Sequence, residues 1–173
     1  TVAITNTWMS WGTRAGVRDA LQQKGIKVLP SITDSTATGH LSAVMKDTAK
    51  RGALVSQISN VVTSGGYDGI DLDFEKFAFN DGQSSWAATK PAWITFISEL
   101  GASLHANGKL LAVSVPPMYS DTSGYWVYAF RDIGPHIEPA SLLRMVGYVG
   151  RDVSFADWDS AARAYAATAP GFA

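Results

Sequence analysis

Four carboxylates, Asp68, Asp71, Asp73 and Glu75, fall within residues 68–75 of the stretch YDGIDLDFEKF, whose other members read as a buried strand. Residues two apart in a strand share a face, so Asp71, Asp73 and Glu75 project one way and Ile70, Leu72 and Phe74 the other. Three ionised carboxylates in a row repel one another strongly wherever water is scarce, so the row must share protons and titrate as a unit. The member nearest an apolar mouth keeps its proton at neutral pH and can serve as a general acid; Glu75, last on the strand, is that member. Asp68 has the opposite parity and precedes Gly69, which suits a strand-entry residue with a supporting hydrogen-bond role. Two other readings stay open at this point. A solvated acidic edge strand explains the charges, though not Ile70, Leu72 and Phe74 on the opposite face. Carboxylates also suit a hard cation, but the glycine of a calcium loop is missing and none of His40, His105 and His136 lies nearby in sequence.

The segments around this row must hold it in place. Short β-branched runs at 2–6, 27–32, 68–74, 110–115 and 142–149 alternate with helix-length periodic segments, the pattern of βαβ units and a parallel sheet. Leu54, Ile58, Val61 and Val62 form one helical face within 51–64, and Ser64-Gly65-Gly66 stops that helix just before the acidic strand. Pro91 fits the first turn of a second helix, whose stripe of Trp93, Phe96, Ile97, Leu100 and Leu104 ends at Asn107-Gly108. A last helix is expected over Phe155 to Thr168, and no repeat or linker divides the chain. Parallel strands returned by helices build a doubly wound sheet or a (β/α)8 barrel, both of which place reactive groups at the C-terminal ends of strands. No GxGxxG or GxxxxGK[ST] follows any strand, which favours the barrel, although 173 residues fall short of the roughly 250 that a whole one takes.

Composition narrows the partners. A chain that is 46% hydrophobic and 17% charged, with net charge −1 and no Lys/Arg run, suits a soluble globular domain and a neutral ligand rather than nucleic acid or an anionic membrane. No apolar run is long enough to cross a bilayer, and the absence of cysteine excludes disulfides and thiolate metal sites. The opening TVAITNTW has neither an initiator Met nor a signal-peptide pattern, so the chain reads as a mature or excised segment.

YDGIDLDFE resembles the DGxDxDxE signature of family 18 glycoside hydrolases, the chitinase family, and matches it at Asp68, Gly69, Asp71, Asp73 and Glu75. KVLPSITD is similar to that family's third strand, LLAVSVPP to its fifth and LLRMVGYVG to its sixth, in the style of bacterial spore-cortex and LysM-linked hydrolases. The resemblance implies a single catalytic domain over 1–173 with an α/β, (β/α)8 TIM barrel fold, incomplete or partial at this length and short of its first and last strands. It implies a glycosidase acting on β-1,4-linked N-acetylglucosamine glycans, chitin or peptidoglycan, secreted or attached to the cell wall, with no metal or cofactor. The catalytic residues would be Glu75 as acid, Asp73 as the partner of the substrate acetamido group and Asp71 beneath it, supported by Asp68 and Tyr148. Trp8, Tyr119 and Tyr148 are the expected substrate contacts, and an open barrel edge would favour self-association.

The sequence departs from the family in two strands. Val149 stands after Tyr148 where the family carries Asp, and Ser31-Ile32-Thr33-Asp34 replaces Ser-x-Gly-Gly. A carbohydrate-binding domain with little or no turnover, or a barrel fragment, is therefore the alternative to the enzyme. Among the other aromatics, Trp11, Trp86, Trp126 and Trp158 lie where a ring could stack on sugar, whereas Trp93 belongs to the helix stripe and the core.

Overall fold

The computed structural model describes residues 14–116, 120 and 122–137. The expected strands at 2–6 and 142–149 and the helix at 155–168 lie outside them. In chain order the elements are helix α1 (Arg14–Gln22), strand β1 (Ser31–Thr33), helices α2 (His40–Lys46) and α3 (Thr48–Ser64), strand β2 (Gly69–Asp73), helices α4 (Lys76–Asp81) and α5 (Gln83–His105), strand β3 (Leu110–Val113), and the short helix α6 (Phe130–Ile133). The three strands form one parallel sheet in the order β1-β2-β3, with Asp71 level with Ser31 on one side and Ala112 on the other. The α/β class and the parallel sheet agree with the sequence pattern; the described residues amount to part of a barrel at most.

The helices stop where the strands must begin. Tyr67 N–H donates to Val62 O at 3.0 Å and Gly66 N–H to Thr63 O at 3.2 Å. Gly66, at φ 66°, thus closes α3 with a left-handed Schellman turn. The same pair of bonds ends α1 around Gly25, where Ile26 N–H reaches Leu21 O at 3.1 Å, and α5 around Gly108, where Lys109 N–H reaches Leu104 O at 3.0 Å. Each stop turns the chain directly toward the next strand. Gly69, first in β2, answers a different demand: a Cβ there would sit 2.2 Å from Leu110 O, so only glycine lets β2 and β3 approach at that point.

Ile70 and Leu72 turn their side chains into the helical layer and are fully buried. Phe74 stacks on Phe96 of α5 at a centroid distance of 6.1 Å. Trp93 lies in the core as the stripe predicts, touching Phe77, Phe96 and Tyr128. Helix α5 differs from expectation in its start, which is Gln83, so Pro91 lies inside the helix rather than in its first turn. Proline removes one helical bond at a cost of about 3 kcal/mol or more. The carbonyl that loses its donor belongs to Ala87, which is exposed, as Pro91 itself is, so water can take the missing place while Trp86, Trp93 and Phe96 anchor the buried face.

The two glycine roles differ in size. Gly69→Ala should lower unfolding free energy by about 3 kcal/mol or more, since backbone must move, and Gly66→Ala by only about 1–2 kcal/mol, the left-handed penalty. Urea midpoints of the two variants test this; equal losses would contradict the close approach at Gly69.

Candidate active site

The acidic row stands at the C-terminal end of β2, at the end of a parallel sheet where ligands of such folds bind. Asp71 and Asp73 belong to the strand, but Glu75 does not. The strand ends at Asp73, and Glu75 has helical dihedrals of φ −97° and ψ −33°. Its carbonyl accepts from Ala78 N–H at 3.2 Å and Phe79 N–H at 3.3 Å, so the first turn of α4 begins there. Strict strand alternation therefore stops at Phe74. A phenol fixes the bend: Tyr128 O–H donates to Phe74 O at 2.9 Å and to Glu75 O at 3.2 Å. Tyr128 is itself clamped, because Trp93 Nε1–H donates to its carbonyl at 3.0 Å and the following Ala129 has a left-handed φ of 50°.

The electrostatics run in order along the row. Asp71 is buried, at 5% exposure, and its Oδ1 accepts from Ser114 Oγ–H at 2.9 Å. Burial first, and the charge of Asp71 second, push the Asp73 carboxyl above the usual range. Burial first, and the charge of Asp73 second, do the same to Glu75. Burial and then the charges of Glu75, Asp34 and Asp73 push the Tyr128 phenol far up, so it stays a neutral donor. A row in which each acid hinders ionisation of the next can keep one proton available at its outer end. Among the described residues no group of His, Asp and Glu is placed to hold a metal ion.

Asp68 lies at the other end of β2, roughly 16 Å from Asp73 at a rise of about 3.3 Å per residue. Its carboxylate accepts from Gln22 Nε2 and Val28 N–H, both at 2.9 Å, and from Lys27 Nζ at 3.4 Å. Burial works against its charge, yet those three donors together hold it below the ordinary value. Asp68 thus ties the approach to β1 onto β2 and stays away from the other three acids. Trp8, Tyr119 and Tyr148 lie outside the described residues. Trp86 is buried in α5 with its Nε1–H donating to Ala78 O at 3.0 Å, so it packs rather than presents a face.

Ser114, Tyr128 and Asp34 join the site without being singled out as site residues by the sequence. Ser114 had a usable signal, a hydroxyl just beyond an apolar strand that pairs with β2. Tyr128 had none, being 53 residues from Glu75. Asp34, just past β1, is buried; its Oδ1 accepts from Thr36 N–H at 2.9 Å and Thr36 Oγ1 at 2.8 Å. Its Oδ2 has no hydrogen-bond partner among the described residues.

Comparison with known proteins shows what the chain is similar to. The sequence profile of glycosyl hydrolases family 18 matches residues 2–163. A Bacillus subtilis protein, YdhD, named provisionally as a sporulation-specific glycosylase, is 29% identical over 103 residues, 57% of this chain and 23% of its own. A class V chitinase of Pseudomonas fluorescens Pf-5 has a structure similar at a TM-score of 0.60 and 25% identity, over 70% of this chain and 36% of that one. The spore cortex-lytic enzyme SleL of Bacillus megaterium QM B1551 shares the fold at a TM-score of 0.57 and 17% identity, over 78% of this chain and 36% of its own. The chain thus spans about a quarter to a third of the length of these relatives.

A raised carboxyl pKa makes a stability prediction of definite sign. Folding disfavours the ionised forms of Asp73 and Glu75, so the contribution of these two groups to stability is greatest below their ordinary values of 3.8 and 4.5 and falls as pH rises through the raised folded values. Asp73→Asn and Glu75→Gln should therefore stabilise the chain at pH 7 by up to about 1 kcal/mol, the scale of a solvent-screened charge interaction. The gain should vanish at pH 3. Thermal melts at both pH values test this, and variants less stable than the parent at pH 7 would contradict it.

Proposed function

Because the chain belongs to family 18 of the glycosyl hydrolases, we propose that it cleaves β-1,4-linked N-acetylglucosamine glycans, of the chitin or peptidoglycan type, with retention of configuration. The observation that carries the reading is the placement of Asp71, Asp73 and Glu75 at the C-terminal end of β2, with Asp71 buried against Ser114 and Glu75 turned out at the start of α4. Burial and the neighbouring acid raise Asp73 and Glu75 in the direction a proton donor needs. Glu75 gives its proton to the glycosidic oxygen as the bond to the anomeric carbon breaks. The acetamido carbonyl oxygen of the sugar at the cleavage point attacks that carbon and forms a cyclic intermediate. This is one of the exceptions to the two-carboxylate scheme. Asp73 accepts a hydrogen bond from the acetamido N–H and stabilises the positive charge of the ring that forms. Asp71, which accepts from Ser114 Oγ–H, supports this role through its charge, which acts on the Asp73 carboxyl. Water then opens the ring from the face the leaving group left, giving its proton to the Glu75 carboxylate and regenerating the acid.

Tyr128 has a positioning role in this scheme. Its hydroxyl holds the carbonyl of Glu75 and with it the bend that points the acid out of the strand. Trp8, Tyr119 and Tyr148 are proposed substrate contacts, and Asp68 a structural support. The parallel sheet is proposed as part of a (β/α)8 barrel in a single domain over 1–173, on the strength of the fold likeness to SleL and the chitinase. A secreted or wall-associated location is proposed with it, supported by the likeness to a spore cortex-lytic enzyme. Val149, where the resembling family has Asp, favours a second reading, a carbohydrate-binding domain of low turnover.

Assay of an N-acetylglucosamine oligomer with a chromogenic leaving group separates the two. Hydrolysis is expected to fall by at least about 100-fold in Glu75→Gln, the usual worth of a general acid. The parent's rate should decline as pH rises through the raised Glu75 value, because only the protonated form gives the proton. Tyr128→Phe should lose about 3- to 10-fold in rate while remaining folded, the scale of one hydrogen bond. Equal hydrolysis by parent and Glu75→Gln would overturn the mechanism; binding without hydrolysis by both would establish the second reading.

A further inference from the structure

Glu75 and Phe79 are one helical turn apart, linked by the bond from Phe79 N–H to Glu75 O, so their Cβ atoms lie about 5–6 Å apart on one face. A helical side chain leans toward the preceding turn, which brings the Phe79 ring toward Glu75. That ring is 48% exposed, and the other large apolar side chain so exposed among the described residues is Ile26, beyond α1 near the opposite end of β2. Phe79 is not left alone. Tyr125, from the segment that follows β3, meets it edge to face at 4.7 Å and 65°. Behind Tyr125 stands Trp86 at 5.5 Å, and behind Trp86 stands Trp126 at 5.7 Å. The ladder is fixed at its root, where buried Trp86 is bonded to Ala78 O, and open at its tip.

We propose that the Phe79 ring, backed by Tyr125, is a stacking platform for the pyranose ring next along the glycan from the one at which Glu75 acts. The inference rests on the function proposed above for its choice of ligand. Two chain segments that follow neighbouring strands, β2 and β3, build the platform, so it continues the acidic site rather than standing apart from it. A pyranose presents an apolar face of C–H groups and a polar rim. The platform matches both, with a ring-sized apolar tip bordered by exposed Lys76 and Asn80. A protein or lipid partner would call for a broader apolar patch than one half-exposed phenylalanine. The two rings meet at 65°, forming a corner that can seat the edge of one sugar, whereas a flat surface would leave its register free.

The test is calorimetric titration of an N-acetylglucosamine tetramer into the full chain carrying Glu75→Gln, so that turnover does not interfere. Adding Phe79→Ala should weaken the affinity about tenfold, the scale of one lost aromatic stacking contact. Phe79→Leu, which keeps apolar bulk but has no ring face, should lose nearly as much, and Phe79→Trp should restore binding. Circular dichroism on each variant confirms folding, which an exposed side chain is not expected to disturb. Unchanged affinity in Phe79→Ala, or a Phe79→Leu variant that binds like the parent, would overturn the platform, as would a parent that binds no tetramer. The outcomes are separable from those of the hydrolysis assay. Tetramer binding that depends on Phe79 in a chain without turnover would uphold the platform and overturn the enzyme, and turnover indifferent to Phe79 would do the reverse.

Discussion

Three carboxylates spaced two residues apart, the first of them buried, hinder one another's ionisation, and among the described residues that repulsion is met with position rather than with cations. Among the described residues no lysine or arginine shifts Asp73 or Glu75; burial and the neighbouring acid act in the same direction on each. Positive partners would have lowered those values and left ordinary, ionised surface acids. The hydroxyl of Ser114 gives the innermost acid a donor without a charge, so the repulsion is passed outward along the row. A site of this kind is unfavourable for the fold and useful for proton transfer, the usual trade at functional positions.

The helical layer supplies the stability that such a row withholds. Arg51 on α3, buried between helices, donates from Nε and Nη2 to the two oxygens of Glu99 on α5 at 2.8 and 2.9 Å, and from Nη1 to Met45 O on α2 at 2.8 Å. This forked pair satisfies most of the guanidinium and fixes three helices against one another, a geometry lysine could not reproduce. The burial of Trp93, Phe96, Ile97 and Leu100 on α5 then sets the sheet's apolar face. With the layer fixed, Trp93 clamps the Tyr128 carbonyl, Tyr128 clamps the bend at Phe74 and Glu75, and the acid is aimed by parts of the chain remote in sequence.

Sequence periodicity made the local part of this design legible. Alternation placed Ile70, Leu72 and Phe74 in the core and Asp71 and Asp73 opposite, because period two is a property of the strand alone. The glycine stops at Gly66 and Gly108 were legible for the same reason, since the turn they make is decided within six residues. Family resemblance carried membership, and the profile match over 2–163 agrees with it. Glu75 was misplaced onto the strand because its helical bend is set by Tyr128, across 53 residues. The start of α5 was placed late because Pro91 reads as a first-turn residue, whereas tertiary packing of Trp86 and Trp93 carries the helix through it. Phe79 and Tyr125 went unnoticed as a pair because neither is conspicuous until α4 and the segment after β3 are brought together.

The proposed coupling along the row is tested by carbon-detected NMR, following the carboxyl resonances of Asp71, Asp73 and Glu75 through a pH titration of the full chain and of Asp73→Asn. Glu75 should titrate above the ordinary glutamate value, and removing the Asp73 charge should bring it part of the way back, leaving the share due to burial. A Glu75 that titrates at the ordinary value, or one that is indifferent to Asp73→Asn, would show three independent acids and contradict the coupling on which the proposed chemistry is built.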